Sequence, residues 1–385
     1  DSFWLHSIIQ TGFITMHTPP NASDFDFHPL LSKDSYGGAA HVSSVLFKLG
    51  CFNHNPCGFC GSQLRLETYT KKRKTPDGGI SDSTTTTLRC SNRRCHKTFS
   101  PFAGTIWNDI GNRQLFIYVV ESFIARGTVR EISNMTHAKE ETISKYYRFI
   151  KNSLYAEVEE GRESFILGGP GVTVQADESH VFKRKNNVGR VLVYTEHGWL
   201  FGMVEDVPDG KLFLAMVEHR DKKTLQAIIK KHLHRGTILF TDSWKSYIGL
   251  SHHGFQHFMV NHKKNFVSHQ RMDSEQEEDG DDETEEVLLD TDVAEDAEDE
   301  TLIDDTILVH TNKIERVWRE VKRGLRHQPL SLLRRNINVE MFRYNHLQEH
   351  KSFSERRRIV LSVIAKHQSN IEMLNTQTFS IYSDA

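Results

Sequence analysis

The chain has 385 residues, 37% of them hydrophobic, so it is long enough to bury a large core and to form two or three domains. No apolar run approaches the roughly 20 residues of a membrane-spanning helix, and no secretory signal pattern opens the chain, so we expect neither a membrane protein nor a secreted one. The formal net charge of −3 conceals a basic body: residues 273–305 hold 19 Asp and Glu and no Lys or Arg, and elsewhere 48 Lys and Arg stand against 32 Asp and Glu. That excess indicates a polyanionic partner.

After an N-terminal region, 1–50, all five cysteines fall within residues 51–110, which we interpret as a zinc ribbon. Two short pairs, Cys57-x2-Cys60 and Cys90-x4-Cys95, each offer two thiolates from one turn, as a tetrahedral zinc ion requires. Disulfides are the alternative, and the absence of a secretory signal disfavours them. Cys51 is left over and is expected to be a small buried hydrophobic residue rather than a ligand.

The loop expected between the two cysteine pairs carries the basic sequence KKRK at residues 71–74. Such a cluster is compatible with a nuclear-localisation signal or with phosphate contacts. An ordinary solvated loop explains it equally well, so the cluster by itself decides nothing about function.

Residues 113–152 have the apolar spacing of three helices, within a predicted domain at 111–155. The first is expected to end at Gly127, and Thr128 is expected to cap the second. A short helix, a turn and a longer helix resemble a helix-turn-helix, with Lys139, Thr142 and Lys145 as candidate DNA contacts. A plain three-helix connector is the alternative.

From residue 171 the pattern changes to strands, and the first of these alternates. Residues 172, 174 and 176 are expected on one face, with Thr173, Gln175 and Asp177 on the other. Asp221 is expected to cap an amphipathic helix that makes a right-handed crossover to a parallel neighbouring strand, residues 238–240. Asp177 and Asp242 would then each end a strand at the same edge of the sheet.

Asp242 has two interpretations. It could simply cap the next helix, because Asp is a favoured N-cap residue. Two carboxylates about 4 Å apart repel by about 4 kcal/mol at an effective dielectric near 20, so a fold that brings Asp242 beside Asp177 favours divalent cations between them. Such a two-metal site needs a further acid from another element.

The helix predicted at 310–327 supplies that acid as Glu315, at the edge of an apolar stripe, with Asn312 one turn earlier on the same side. A solvated salt-bridge partner is the alternative interpretation of Glu315. The same helix carries a series of basic residues that could hold phosphates. They are Lys313, Arg316, Arg319, Lys322 and Arg323.

The acidic segment 273–305 contains no aromatic residue and few apolar ones. It cannot bury enough surface to offset its ordering entropy, so we expect a disordered insertion. A solvated loop and a regulatory element are both compatible with this composition.

Four stretches carry a family resemblance: ADESHVF, TDSWKSY, HTNKIERVWREVKRGL and MFRYNH. With the cysteine pairs and FSPFAGTIW, they resemble DDE transposases, most closely the Merlin superfamily and its bacterial ISXO-type insertion-sequence relatives. The resemblance covers about 40–270 and 306–347. The acidic segment departs from the family pattern, because it leaves Asp242 and Glu315 73 positions apart.

The resemblance implies an α/β fold with an RNase H-like catalytic core at 165–350, interrupted by 273–305 and followed by a helical tail at 351–385. Asp177, Asp242 and Glu315 would be the catalytic residues and the ligands of two Mg²⁺ or Mn²⁺ ions, supported by Asn312. Zn²⁺ at Cys57, Cys60, Cys90 and Cys95 would be structural.

The function implied is that of a cut-and-paste DNA transposase acting in the nucleus. Such an enzyme binds double-stranded DNA at terminal inverted repeats, hydrolyses phosphodiesters at the element ends and transfers the 3′ hydroxyl to target DNA. A homodimer or larger assembly is expected, because two ends are cut together. A domesticated DNA-binding regulator and an RNase H-like nuclease without strand transfer are the alternatives.

Overall fold

The structure is a computed structural model that describes residues 43, 46–74, 80–181, 199–242, 244–260, 268–271, 306–325 and 330–377. The described residues fall into two compact units. One contains those up to Glu160 together with His346–Gln377, and the other lies within Gly161–Asn345. Within the described part of the chain, no helix is both long enough and apolar enough to cross a membrane.

The elements are numbered in chain order, and both strands and helices are present, as predicted for an α/β protein. The strands are β1 (Leu64–Lys74), β2 (Ile80–Cys90), β3 (Thr98–Phe99), β4 (Thr173–His180), β5 (Trp199–Glu205), β6 (Leu212–Val217), β7 (Ile238–Asp242), β8 (Gln256–Val260), β9 (Ser268–Arg271) and β10 (Thr306–Val309). The helices are α1 (Arg113–Ile124), α2 (Val129–Thr136), α3 (Glu140–Arg162), α4 (Lys222–His232), α5 (Asn312–Leu325), α6 (Leu333–His346), α7 (Phe353–His367) and α8 (Ile371–Asn375).

In the first unit, β1 and β2 form a long antiparallel hairpin, and β3 pairs with the end of β2. The expectation that residues 71–74 lie in a loop is wrong, because β1 continues to Lys74, which pairs with Ile80. The partner strand contains four consecutive threonines opposite residues 67–70, and β-branched residues favour the extended pairing from which the hairpin continues into the basic cluster.

Three helices follow the ribbon, as predicted. The side chain of Thr128 accepts from the backbone N–H of Glu131, and Glu131 accepts from that of Thr128, so the predicted cap is a complete capping box. α3 is longer than expected and runs to Arg162. The buried side-chain amide of Asn152 on α3 donates to three carbonyls at the end of α8, which ties the C-terminal helices to this unit.

The second unit is built on a five-stranded sheet in the order β6-β5-β4-β7-β8. β4, β5 and β6 are antiparallel neighbours, whereas β7 pairs in parallel with β4 and with β8. Asp221 caps α4 as predicted, accepting from Thr224 N at 2.8 Å. The helix does lead to a strand with a parallel neighbour, but that neighbour is β4 and not β6. In this position β7 is hydrogen-bonded on both edges, by β4 and by β8, which suits a strand whose apolar residues are all buried.

The prediction that β4 ends at Asp177 is wrong, because pairing with β5 continues to His180 opposite Trp199. The expected contrast between its two faces is also absent, since Val174, Gln175 and Ala176 are all buried. β4 is the central strand of the sheet, and such strands are buried on both faces.

β9 and β10 pair with each other, so that Arg271 lies opposite Thr306. Residues 272–305, which contain the whole predicted acidic insertion, lie outside the described residues. The two ends of that segment are therefore held side by side, and β10 leads into α5. Val309 at the end of β10 is buried with four apolar residues of β7 and β8: Ile238, Phe240, Phe258 and Val260.

Candidate functional site

The register between β4 and β7 brings two predicted acids together. Thr173 pairs with Ile238 and Gln175 with Phe240, so the same register continued two residues along places Asp177 level with Asp242. Asp242 is the last residue of β7, as expected, whereas Asp177 lies within β4. One carboxylate oxygen from each aspartate and one from Glu178 all lie within 4.8 Å of one another. An all-oxygen set of this kind suits Mg²⁺ or Mn²⁺.

Glu178 is a member of this acidic cluster that the sequence analysis missed. Its side chain is buried, and among the described residues no group makes a hydrogen bond to its Oε1 with good geometry. The buried hydroxyl of Tyr247 lies near enough to lower the pKa of Glu178. The only signal in the sequence was that Glu178 directly follows Asp177. A buried carboxylate with an oxygen this close to those of two other acids can help to bind a cation.

Burial dominates the electrostatics of the cluster. It raises the pKa of Asp177 to about 6, opposed by a hydrogen bond from Trp318 and reinforced by the charge of Asp242. Burial likewise raises the pKa of Glu178 to about 7, and both neighbouring aspartates add to that shift. Packing acids together away from water therefore disfavours their charged forms, a cost that a divalent cation would offset.

The helix that carries Glu315 is held against β4 by a side chain that caps it. The buried Gln175 Oε1 accepts from the backbone N–H groups of Lys313 and Ile314, at 2.9 and 3.1 Å. These are among the first N–H groups of α5, which have no partner inside the helix. The amide nitrogen of Gln175 in turn donates to Asp206 Oδ2 at 2.8 Å. A residue of the central strand thus fixes the start of α5.

Two further residues on the same face of β4 contact α5. Trp318 Nε1 donates to Asp177 Oδ2 at 2.7 Å, and Lys322 Nζ donates to Ser179 Oγ at 2.5 Å. Gly202 lies opposite Asp177 on β5, and a Cβ atom there would lie 2.5 Å from the Trp318 ring. The glycine therefore makes room for the indole that orients Asp177.

Glu315 lies in the first turn of α5 and is exposed. It is near enough for its charge to raise the pKa of Asp177, but it is not among the acids whose oxygens lie within 4.8 Å of one another. Asn312 is the first residue of the helix and is also exposed. The structure thus groups Asp177 and Asp242 with Glu178, and places Glu315 nearby on the docked helix.

The basic residues of α5 differ in their surroundings. Lys313 Nζ donates to the Val207 carbonyl at 2.7 Å, and Arg323 pairs with Glu320 at 2.7 Å. Arg316 and Arg319 are exposed. These two exposed guanidinium groups are the residues of the predicted series best placed to reach a phosphate.

The predicted DNA contacts in the helical segment lie at the start of α3. Lys139 precedes the helix and is exposed, and Thr142 is half-buried. Lys145 is also half-buried, with Nζ 3.5 Å from the Asp109 carbonyl and 5.4 Å from the centre of the Phe149 ring. Their role as DNA contacts stays a prediction.

The first unit contains a separate cluster of thiols. Cys57 Sγ lies 3.8 Å from Cys95 Sγ, and Cys60 Sγ lies 3.4 Å from Cys90 Sγ; all four sulfurs are within 4.8 Å of one another, and none forms a disulfide. Zn–S bonds of about 2.3 Å in a regular tetrahedron place the sulfurs about 3.8 Å apart, so the cluster is compatible with zinc. Cys51 is fully buried outside the cluster, and burial raises the pKa of its thiol to about 12.

Comparison with known proteins bears on the second unit. Residues 166–279 match the family model of the ISXO2-like transposase domain. No curated protein and no solved structure matches the chain. The matched segment contains Asp177, Glu178 and Asp242 and ends before Glu315. The match supports a DDE transposase family, and with it a transposase role, for the domain that carries the acidic cluster.

Proposed function

We propose that this protein is a cut-and-paste DNA transposase, related to the Merlin superfamily, with an RNase H-like catalytic core. The observation that carries the proposal is the convergence of Asp177 and Asp242 on adjacent parallel strands, inside the segment that matches a transposase domain. The mixed five-stranded sheet, in which the antiparallel β5 lies next to the central strand, supports the proposed core.

In this proposal Asp177, Asp242 and Glu315 hold two Mg²⁺ or Mn²⁺ ions, and Glu178 offers a further carboxylate oxygen. When bound, such ions activate water and stabilise the leaving oxygen of a phosphodiester. The chain itself supplies the positioning: Trp318 holds one oxygen of Asp177, and Gln175 holds the helix of Glu315 against the same strand.

The remaining features are assigned to DNA binding. The four-thiol ribbon and α1 to α3 recognise the terminal inverted repeats, and the exposed Arg316 and Arg319 contact phosphates near the cut. A homodimer or larger assembly in the nucleus brings two element ends together. The excess of Lys and Arg outside 273–305 supports a DNA partner.

The experiment uses the full chain and duplex DNA carrying the ends of the genetic element that encodes it. With Mg²⁺ or Mn²⁺ we expect cleavage at the ends and transfer of the 3′ hydroxyl into a target plasmid. Asp242→Ala should abolish both reactions while leaving end binding nearly unchanged. Asp221→Asn is the matched control, since it removes an exposed carboxylate of the same unit and keeps a favoured cap.

The outcomes separate the alternatives. Cleavage without joined products would make the protein a nuclease, and metal-independent binding without cleavage would make it a regulator. An Asp242→Ala protein that still cuts DNA at the normal rate would overturn the assignment of the acids. Glu315→Gln tests the third acid separately, and we expect it to abolish cleavage as well.

A further inference from the structure

A series of flat side chains lies beside the acidic cluster. The guanidinium carbon of Arg220 is 4.1 Å from the centre of the Trp199 ring and 3.9 Å from the centre of the Trp244 ring. The rings of Trp199 and His180 are also in contact, with centroids 3.6 Å apart. Contacts therefore run from His180 at the end of β4, through Trp199 and Arg220, to Trp244. We call these four residues the aromatic stack.

Trp244 is fixed in place by two hydrogen bonds of its own, and a third bond holds the carbonyl to which its indole donates. Its backbone N–H donates to Asp242 Oδ1 at 3.1 Å, and its indole N–H donates to the Arg220 carbonyl at 3.3 Å. The hydroxyl of Ser246 donates to the same carbonyl at 2.7 Å. The last member of the aromatic stack is thus tied directly to a carboxylate of the acidic cluster, and its position follows that of the proposed metal ligand.

Trp244 is partly exposed to solvent. Arg220 covers one face, and yet 37% of the residue is exposed, whereas Trp107 and Trp318 are buried. The charge of Arg220 reaches the cluster, because it lowers the pKa of Glu178. An exposed indole backed by a guanidinium group, two residues from a metal-binding aspartate, has the properties of a platform for a flat and electron-rich ligand.

We propose that the indole ring of Trp244 stacks on an unpaired nucleobase of the DNA, next to the phosphate that the acidic cluster cuts. This inference rests on the proposed function and adds a specificity to it. In a duplex each base is covered by its neighbours on both faces, so a side chain stacks fully only on a base that is frayed, single-stranded or turned out of the helix. The site would therefore prefer DNA that is unpaired at the cut.

The test measures binding of the full chain to a 20-nucleotide single strand with one 2-aminopurine, and to the duplex of the same sequence, without added Mg²⁺. Trp244→Ala should weaken single-strand binding roughly 5- to 100-fold, the usual range for loss of one base–aromatic stack. The loss for the duplex should be smaller. Trp244→Phe should restore most of the affinity, because it keeps an aromatic face.

Ile248→Ala is the matched control. Ile248 lies four residues away and is also 37% exposed, but it has no aromatic ring, so its variant should bind as the parent does. Stacking also predicts that the salt dependence of binding keeps its slope in Trp244→Ala, since no phosphate contact is lost. The 2-aminopurine fluorescence should be quenched by the parent and less by Trp244→Ala.

The inference is overturned if Trp244→Ala binds the single strand as tightly as the parent, or if it loses single strand and duplex equally. It is also overturned if Trp244→Phe is as weak as Trp244→Ala, which would indicate that the indole hydrogen bond to the Arg220 carbonyl matters and the aromatic face does not. Failure of the proposed function is recognised independently. If the parent protein cuts no DNA, the proposed function fails. If Trp244→Ala nevertheless weakens single-strand binding, the proposed stacking of Trp244 on a base still stands.

Discussion

At the scale of single residues, the position of Asp177 depends on a glycine and a tryptophan from two other elements. Trp318 donates to Asp177, and its ring occupies the space that a side chain at position 202 would need. The two residues are 116 positions apart in the sequence and belong to different elements. The orientation of the acid is therefore set by packing between a strand and a helix.

Gly202→Ala should disturb that packing. The added methyl group would lie 2.5 Å from the Trp318 ring, so the ring must move, at a cost of about 1–3 kcal/mol in the free energy of unfolding. Under the proposed function, loss of the bond from Trp318 to Asp177 should lower the cleavage rate by about 10- to 100-fold, the usual effect of losing a partner of a metal ligand. Cleavage assays and urea denaturation measure the two effects.

The control for this variant is Gly161→Ala. Gly161 lies near the end of α3, and apart from the backbone of that helix no atom lies within 4 Å of a Cβ built there. Alanine favours helices over glycine, so stability should be unchanged or slightly higher. Equal loss of activity in both variants would show that the Trp318 contact has no special role.

His257 gives a pH dependence to the stability of the sheet. Burial lowers its pKa from 6.5 to about 4, and its Nε2 lies 2.9 Å from Thr241 Oγ1. Because the folded pKa is below the unfolded one, the contribution is complete above pH 6.5 and is lost as the pH falls toward 4. At pH 5 the loss should be about 2 kcal/mol.

His257→Gln tests this prediction, because glutamine can still donate to Thr241 and does not titrate in this range. Urea denaturation at pH 7.5 and at pH 5 should show a smaller loss of stability on acidification in the variant than in the parent. The same loss in both proteins would mean that groups other than His257 cause the acid sensitivity. Asp177 and Glu178 are not among those groups, because acids with raised pKa values stabilise the folded protein as the pH falls.

At the scale of elements, we expect the ribbon formed by β1 to β3 to depend on the thiol cluster. β1 and β2 form a hairpin whose described side chains are mostly exposed, and an isolated hairpin is at best marginally stable in water. A four-thiolate zinc site contributes on the order of 10–16 kcal/mol of apparent binding energy, which is also folding energy. The metal would therefore hold together a segment that packing alone does not.

Cys57→Ser or Cys90→Ser should accordingly unfold the ribbon and weaken binding to element ends. Metal analysis of the purified protein should find one zinc ion per chain in the parent and much less in either variant. Cys51→Ala is the control, because that thiol is buried outside the cluster. A parent protein without zinc, or variants that bind ends normally, would contradict the prediction.

At the scale of the whole molecule, charge is divided between a basic body and the acidic segment 273–305. The segment carries a formal charge of −19 and is joined to the second unit through β9 and β10, close in sequence to α5. It can compete with DNA phosphates for basic residues, an attraction screened over about 8–10 Å at physiological salt. We expect it to lower non-specific DNA affinity.

Replacing 273–305 with a neutral Gly/Ser linker of equal length should leave the fold intact and raise non-specific binding most at low salt. A salt titration with random-sequence duplex DNA measures the effect, since DNA binding weakens with a slope near −0.9 per phosphate neutralised. A linker in which the acidic residues are kept but reordered is the control. Equal affinity of parent and neutral variant at every salt concentration would mean that the segment is only a solvated loop.

The sequence by itself determined the features that arise from neighbours along the chain. The clustering of four thiols, the caps at Thr128 and Asp221 and the apolar strand that ends at Asp242 could all be predicted. The apolar stripe of α5 was also predicted, and its five residues are buried: Ile314, Val317, Trp318, Val321 and Leu325. Such patterns are visible because capping and helical periodicity involve residues only a few positions apart.

Only the tertiary structure decided which distant residues meet. The pairing of β7 with β4, the full length of β4 and the entry of Glu178 into the acidic cluster all depend on strand register. The docking of α5 depends on Gln175, whose partners lie 138 and 139 positions away. Strand register and helix docking depend on how whole faces of distant elements pack against one another. A local sequence pattern does not specify which edge of a central strand a later strand will pair with.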